Sequence, residues 1–361
     1  MSGLELARRF YFEAVHPIIR ATSPGVVHSA ARIGRGSEVL GFDDRVSQDH
    51  DWGPRLELFL GPADRDRCAE RLAGALAEDL PRRFLGYSTS FGLDEDGIGV
   101  LIDVDPGEPV AHRIEILEVT DWCETVLGFD PRSGIGWFDW LATSSHRLAE
   151  VTGGEVFHDG LGDLGRIRTA LAYYPRDIWL YVLASQWQRV AQEEAFVGRC
   201  GQIGDDLGAT VVAARLVRDF MRLCLLIERR YPPYSKWLGT AFSRLDCARF
   251  LAPLLTSALR ASDTAELQQR LGVAYEAIAE MHNTLGITEP IEARTRPFWN
   301  RGYPVILADR FAMGIRHEIS PGPLRDLPLI GSVDQFADSP DVLARAHLAR
   351  AITAAAVGGQ R

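Results

Sequence analysis

The pattern of hydrophobic and polar positions in the first 155 residues is typical of a strand-rich domain. Leu56, Leu58 and Leu60 occupy one face of a strand predicted over residues 48–60, and Glu57 and Phe59 occupy the other. Helical spacing of apolar residues predicts helices over 4–20 and 64–83. Further strands are predicted at residues 26–33, 84–91, 98–104 and 112–119. The pattern therefore predicts an α/β domain over residues 1–155.

The remaining residues, 156–361, have the spacing of long helices separated by Pro and Gly. Predicted helices lie at residues 167–172, 178–198, 205–230, 234–254, 264–285 and 340–356. Residues 286–339 are rich in Pro and Gly and are predicted to be irregular. The predicted fold class is α/β plus α, with a mixed-sheet N-terminal domain followed by a C-terminal helical bundle.

Composition and net charge limit the classes of partner that the protein is expected to bind. The chain has 361 residues, of which 46% are hydrophobic and 24% charged, as in a folded globular protein. Its net charge of -10 opposes broad attraction to phosphate backbones or anionic lipid, so a long nucleic acid and a membrane are not expected partners. The N-terminal residues lack the apolar core of a signal peptide, and a cytoplasmic location is expected. The five cysteines have no metal-binding spacing and are expected to be free thiols.

One short segment combines residues suited to phosphate and metal binding. Gly36 and Ser37 are followed, after residues 38–48, by Asp49, His50 and Asp51. On a strand, positions i and i+2 point to the same side, so the two aspartates would present their carboxylates to one site. Mg²⁺ accepts such carboxylates and takes its other ligands from water and phosphates. A Gly-Ser pair offers backbone N–H groups and a hydroxyl to a phosphate.

The order Gly-Ser, a spacer and Asp-x-Asp resembles the signature of the DNA-polymerase-beta-like nucleotidyltransferase superfamily. More narrowly, GRGSEVLGFDDRVSQDHDWGPRLELFL resembles the opening of an uncharacterised family, a domain of unknown function, within that superfamily. Other phrases that carry the resemblance are EVFHDGLG, LAYYPRDIW, GRCGQIGDD, RRYPPYSKWLGTAF, RPFWNRGYPVI and GSVDQFADSPDVL. The resemblance extends over nearly the whole chain.

The resemblance implies a nucleotidyltransferase-like N-terminal domain that binds an NTP and two Mg²⁺ ions, for which Mn²⁺ can substitute. Gly36 and Ser37 would contact the β- and γ-phosphates of the nucleotide. Asp49 and Asp51 would ligate both metal ions. The activity implied is transfer of an NMP group to a hydroxyl or phosphate of an acceptor, with release of pyrophosphate.

The superfamily uses a third carboxylate on a later strand. Glu115 in the segment HRIEILEV is the first candidate for this catalytic and metal-binding role. Asp103 in LIDVD is the second candidate, and Glu118, on the opposite strand face from Glu115, is the third.

Two further residues are candidates in the helical half. Lys236 is the only lysine among 39 basic residues and follows the segment Tyr231-Pro-Pro-Tyr234-Ser. A contact from Lys236 to the triphosphate and an incidental surface position are equally weighted alternatives. Glu194 is a candidate for assisting deprotonation of the acceptor hydroxyl, with a solvated helix face as the default interpretation.

The predicted function is a metal-dependent nucleotidyltransferase that acts on a small molecule or a protein. One alternative is a nucleotidyltransferase that acts on RNA or tRNA ends, and another is a nucleotide-binding sensor without turnover. The sequence leaves open the acceptor, the preferred base and the oligomeric state.

Overall fold

The structure, a computed structural model, describes residues 1–44 and 52–358. The chain divides into two compact units. Unit 1 comprises Met1–Ile135 and Arg147–Ala172, and unit 2 comprises Gly136–His146 and Tyr173–Arg361. The expected domain boundary at residue 155 therefore falls at the first residue of a strand within unit 1.

The strands of the described residues are short. Their bounds are β1 His28–Arg32, β2 Arg55–Leu60, β3 Arg83–Phe84, β4 Tyr87–Ser88, β5 Ser90–Leu93, β6 Gly99–Ile102, β7 Arg113–Leu117, β8 Glu155–Asp159, β9 Arg296–Pro297 and β10 Pro304–Val305.

The main sheet of unit 1 is mixed and has the strand order β7-β2-β1-β8. Strand β1 is antiparallel to both β2 and β8, whereas β2 is parallel to β7. The mixed sheet expected from the sequence is thus confirmed. Because β8 pairs with β1, residues beyond 155 belong to the sheet of unit 1.

One face of β2 packs against the helices of unit 1. Leu56, Leu58 and Leu60 join a single core with apolar residues from the N-terminal helical stretch and from the helix that follows β2. This confirms the predicted alternation along the strand. Within the described residues β2 begins at Arg55, because Pro54 cannot donate a ladder hydrogen bond and Gly53 has a φ of +150°.

The helices of unit 1 cover this sheet or connect its strands. Their bounds are α1 Gly3–Phe10, α2 His16–Thr22, α3 Pro62–Asp79, α4 Val119–Leu127, α6 Ser145–Thr152 (which begins in unit 2) and α7 Asp163–Ala170. A π-helical turn at Tyr11–Val15 joins α1 to α2, so the helix predicted over 4–20 is continuous but locally widened.

Unit 2 is predominantly helical, as expected. Its helices are α5 Trp137–Ala142, α8 Arg176–Glu193, α9 Phe196–Gln202, α10 Asp206–Ile227, α11 Ser235–Ser243, α12 Ala248–Leu259, α13 Thr264–Thr284, α14 Asp309–His317, α15 Pro323–Asp326, α16 Val333–Phe336, α17 Pro340–Leu343 and α18 Ala346–Gly358. In the part of the chain that the structure describes, no helix has the length and apolar character needed to cross a membrane.

The predicted irregular segment 286–339 contains a regular helix. Helix α14 has buried residues Phe311, Ala312 and Ile315 along one side, and it packs against α8. Its short apolar repeat lies among Pro- and Gly-rich residues, which hid it in the sequence. The cysteines are free thiols, and Cys68, Cys123 and Cys224 are buried, as expected.

Candidate functional site

The Gly-Ser segment lies in a tight loop directly after β1. Gly34 and Gly36 have φ values of +80° and +147°, which side-chain-bearing residues rarely adopt. The N–H of Phe42 donates to the carbonyl of Ser37 at 2.8 Å and closes the loop. The Ser37 hydroxyl makes no hydrogen bond with residues 1–44 or 52–358. A polar hydroxyl is thus presented on a rigid turn at the end of a central strand.

A buried group of four charged residues, the Arg32 cluster, holds this loop in place. It consists of Arg32, Glu38, Arg55 and Glu57. Arg32 Nε donates to Glu38 Oε1 at 2.8 Å, and Arg32 Nη1 donates to Glu57 Oε1 at 2.6 Å. Arg55 Nη2 also donates to Glu38 Oε1 at 2.8 Å. Charge-assisted bonds of this kind restrict the orientation of every partner.

The same guanidinium also binds the backbone of the loop. Arg32 Nη1 donates to the carbonyl of Ile33 at 3.0 Å, and Arg32 Nη2 donates to the carbonyl of Arg35. Glu57 Oε2 accepts from the N–H of Ile33 at 3.0 Å. Arg32 is only 1% exposed, so these bonds are shielded from water.

The charges of the cluster shift the pKa values of its members. Burial disfavours the charge on Glu38, but Arg32 and Arg55 outweigh burial and lower its pKa. Burial raises the pKa of Glu57 despite Arg32, and the nearby carboxylate of Glu115 adds to that rise. Burial also works against the charge on Arg32, but Glu57 and Glu38 raise its pKa overall.

Gly36 approaches the Arg32 cluster so closely that a side chain has no room there. A Cβ at this position would lie 2.5 Å from Glu38 Oε2 and 2.6 Å from Arg32 Nη2. Gly34, two residues earlier, has nothing within 4 Å of an added Cβ. The glycine of the Gly-Ser pair is therefore required by packing as well as by its φ value.

Glu115 lies on β7, opposite Glu57 in the parallel register of β2 and β7. Residues paired in this way project to the same side of a sheet. Glu115 is exposed, and its carboxylate forms no hydrogen bond or ion pair with the described residues, although its charge acts on Arg32 and Glu57. Its carboxylate is therefore available on the side of the sheet that carries the Arg32 cluster.

The other two candidates for the third carboxylate have structural partners. Asp103 follows β6, outside the main sheet, and both of its oxygens accept from Arg83 Nη2 at 2.7 Å. Glu118 caps the N-terminus of α4, where its carboxylate accepts from the N–H of Asp121 at 3.1 Å.

Asp49 and Asp51 lie outside the described residues, as does His50. In sequence they immediately precede Trp52 and the start of β2. Among residues 1–44 and 52–358, no group of three or more His, Cys, Asp or Glu side chains could hold a metal ion. Of the three predicted metal ligands, the structure therefore describes Glu115 alone.

Lys236 lies in unit 2, in the first turn of α11. It is exposed, and its ammonium lies 4.9 Å from the centre of the Trp237 ring. This cation–π contact is compatible with an incidental surface position for Lys236. Its predicted role as a phosphate contact stays a prediction.

Glu194 is not on a solvated helix face. It is 6% exposed, and its carboxylate accepts from the backbone N–H groups of Ile306, Leu307 and Ala308 at 2.8, 3.1 and 3.0 Å. Burial raises its pKa to about 7, and the three N–H donors oppose that rise. Its oxygens are occupied by the backbone, so it has a structural role in this conformation.

The sequence interpretation missed Arg32, Glu38, Arg55 and the partners of Glu57. One signal was present: Glu57 lies between Leu56 and Leu58 and shares its strand face with Phe59. A carboxylate in such a position needs a buried cation. Which arginine supplies it depends on the pairing of β1 with β2, which the sequence does not state.

Comparison with known families identifies one segment of the chain. Residues 140–238 match a family described as a domain of unknown function (DUF4037). The match covers a minority of the chain and runs from α5 into α11. It contains or overlaps four of the phrases that carried the resemblance, whereas Gly36, Ser37, Asp49, Asp51 and Glu115 lie outside it. The chain matches no functionally curated protein.

Proposed function

We propose that the protein is a metal-dependent nucleotidyltransferase that transfers an NMP group from an NTP to a hydroxyl or phosphate of a small molecule or protein. The observation that carries the proposal is the pairing of two features of unit 1. A rigid Gly36-Ser37 loop follows β1, and the exposed carboxylate of Glu115 lies on the cluster-bearing side of the same sheet.

The sheet supports the proposal through its connectivity. The strand after the Gly-Ser loop is β2, which pairs with β1 on one side and with β7 on the other. Asp49 and Asp51 precede β2 in sequence, and Glu115 lies on β7. Asp49 and Asp51 thus precede, in sequence, a strand that pairs with the strand carrying Glu115, and this supports the proposal although Glu115 lies much further along the chain.

The available groups suit a bound polyphosphate and divalent cations. Asp49, Asp51 and Glu115 would hold Mg²⁺, which when bound would neutralise the developing charge on the pyrophosphate and lower the pKa of the acceptor hydroxyl. The N–H groups and hydroxyl of the Gly36-Ser37 loop would bind the terminal phosphates. The Arg32 cluster would keep that loop in one conformation, because its members are bound to the backbone of the loop.

The test uses the full-length protein with each α-labelled NTP, Mg²⁺ or Mn²⁺, and a cell extract as the source of acceptor. Metal-dependent NTP binding is measured separately by equilibrium dialysis. We expect Asp49→Asn and Asp51→Asn to lose metal-dependent NTP binding without loss of thermal stability. Glu115→Gln is expected to lower labelling by about 100-fold or more while retaining part of the nucleotide affinity.

Asp103→Asn is the matched control, since it removes a carboxylate that is paired with Arg83 at the surface. It should label the acceptor at the parental rate. Retained Mg²⁺-dependent NTP affinity in both Asp49→Asn and Asp51→Asn would refute the proposal. Full activity of Glu115→Gln together with inactivity of Asp103→Asn would move the third carboxylate to Asp103.

A further inference from the structure

Unit 2 contains a cavity of about 470 Å³ that lies outside the site proposed above. It is formed by the C-terminal part of α8, the loop between β9 and β10, and the start of α14. Its volume is within the range of small-molecule sites. The residues that matter below are Gln188, Phe298, Trp299, Leu307, Asp309 and Arg310, all of which line the cavity.

Two residues that line this cavity have an unfavourable backbone conformation. Trp299 has a φ of +54° and Leu307 a φ of +57°. Within the described residues, only Leu85 and Arg229 share this property among non-glycine residues. The left-handed conformation is costly for bulky side chains and is concentrated at functional sites and ligand clamps. Thus two of the four non-glycine residues with positive φ in the described part of the chain line this one cavity.

Neighbouring bonds hold both strained residues in place. The three N–H donors around Leu307 are fixed by the buried carboxylate of Glu194. The loop of Trp299 is closed by a hydrogen bond from the N–H of Arg301 to the carbonyl of Phe298 at 2.9 Å. Phe298 is itself stacked on Tyr303, with ring centres 5.8 Å apart. The rim of the cavity is therefore preorganised.

Trp299 does not adopt its positive φ in order to pack its side chain into a hydrophobic core, because 84% of the residue is exposed. An exposed indole at the edge of a cavity offers a large flat face for stacking with a planar ring. Phe298 adds a second aromatic surface to the same lining. The turn between Phe298 and Arg301 sets the conformation of Trp299 and leaves its exposed indole at the edge of the cavity, free to stack on a planar ligand.

The charged residues that line the cavity indicate which functional group a bound aromatic ring should carry. Arg310 also lines the cavity, but its Nη2 donates to the carbonyls of Ile306 at 2.7 Å and Glu292 at 3.0 Å. The carboxylate of Asp309 is exposed and accepts no hydrogen bond from residues 1–44 or 52–358, although its charge opposes the lowering of the pKa of the neighbouring Arg310 by burial. A carboxylate with open hydrogen-bonding positions favours an amine donor, and the Gln188 amide can both donate and accept.

We propose that this cavity binds a planar aromatic amine of the size of a nucleoside, which stacks on Trp299 and donates from its amino group to Asp309. The inference does not rest on the proposed transferase function, since it needs neither metal nor phosphate. Adenosine is a suitable probe because it has both the ring and the amino group, and inosine is its counterpart without the amino group.

The experiment titrates the full-length protein with adenosine and with inosine in metal-free buffer, followed by calorimetry and by acrylamide quenching of tryptophan fluorescence. We expect saturable adenosine binding that protects an exposed tryptophan from quenching. Inosine is expected to bind about tenfold more weakly, and Asp309→Asn should remove that difference.

Trp299→Gly and Leu85→Gly form a matched pair, because each replaces an exposed residue of positive φ with glycine. Neither variant should lower thermal stability, since glycine adopts this conformation freely. Trp299→Gly should weaken adenosine binding by about tenfold or more, whereas Leu85→Gly should bind as the parent does.

Three results would overturn the inference. The first is no saturable adenosine binding up to about 10 mM. The second is equal affinity in Trp299→Gly and the parent, or equal weakening by Leu85→Gly. The third is loss of adenosine binding in Ser37→Ala with full retention in Trp299→Gly. That last outcome would assign the nucleoside to the loop of unit 1 and would support the proposed transferase site.

Discussion

The two units each bury a glutamate, and they stabilise it in different ways. Glu38 in unit 1 is 3% exposed and is bonded to the guanidinium groups of Arg32 and Arg55. Glu194 in unit 2 is 6% exposed and accepts from three backbone N–H groups. The pKa of Glu38 is lowered, whereas the pKa of Glu194 is raised to about 7.

The difference shows that guanidinium charges stabilise the charged form of a buried carboxylate more strongly than backbone N–H dipoles do. Three N–H donors fill the hydrogen-bonding positions of Glu194 but do not offset the free energy of removing its charge from water. Two arginines offset that penalty for Glu38. The lowered pKa of Glu38 therefore favours its charged form at neutral pH, while Glu194 titrates near neutrality.

The largest expected effect is that of Arg32→Ala, which removes the cation shared by Glu38 and Glu57. Loss of one partner leaves a buried charge uncompensated and costs about 3–5 kcal/mol of unfolding free energy. Urea denaturation at pH 7 measures this loss. Arg32→Lys should recover only part of it, because an ammonium cannot reproduce the bonds from Nε, Nη1 and Nη2.

Combining Arg32→Ala with Glu57→Gln provides the control for this prediction. The double variant should be more stable than Arg32→Ala alone, because one uncompensated carboxylate is then neutral. Strictly additive losses in the two variants would contradict the view that charge compensation holds the cluster together.

The next effect is a pH dependence that belongs to Glu194. Its pKa is raised in the folded state, so the folded protein binds a proton that the unfolded chain has lost. Its contribution to stability is fully present below about pH 4.5 and is lost as the pH rises towards about 7. Glu194→Gln cannot titrate and should lack this decline.

Urea denaturation of the parent and of Glu194→Gln between pH 4 and pH 8 tests this. Between pH 4 and pH 8, the unfolding free energy of Glu194→Gln should rise relative to that of the parent by up to about 3 kcal/mol. Glu38→Gln should show no such gain between pH 5 and pH 8, because the lowered pKa of Glu38 contributes stability that is lost only as the pH falls below about 4.5. Parallel profiles for the parent and Glu194→Gln would show that Glu194 does not titrate in this range.

A smaller effect on stability is expected for alanine substitutions at Gly34 and Gly36, the two glycines of the loop that the Arg32 cluster holds. Gly34→Ala should cost about 1 kcal/mol, because only its positive φ is strained. Gly36→Ala should cost about 2 kcal/mol or more, since its Cβ also meets Glu38 and Arg32. Thermal unfolding of the two variants checks the order. Equal losses would mean that the cluster yields to a methyl group and does not fix the loop.

The smallest effect on stability is expected for substitution of Lys236, whose charge is exposed. Lys236→Ala should alter the unfolding free energy by no more than about 0.5 kcal/mol, because its contact with Trp237 is open to solvent. If Lys236 contacts a triphosphate, the same variant should weaken NTP binding more than nucleoside binding. Equal effects on both ligands would remove Lys236 from the proposed site.

Much of the architecture could be predicted from local pattern alone. The apolar alternation at Leu56, Leu58 and Leu60, the long helices α8, α10 and α13, and the mixed α/β character of the first unit all depend on residues close together in the chain. Hydrophobic periodicity records which side of an element is buried, so it determines these features directly. The order of Gly36 and Ser37 in the sequence also predicts a phosphate-binding loop, and that role stays a prediction.

Tertiary structure decided which residues meet. The pairing of β8 with β1 carries residues beyond 155 into unit 1, and the β2–β7 register brings Glu115 opposite Glu57. The fold also encloses Arg32 between two carboxylates and buries Glu194 beneath residues 306–308. Burial and electrostatic environment depend on neighbours far away in sequence, so only the folded chain sets which carboxylates are paired, which one titrates and which one is left available.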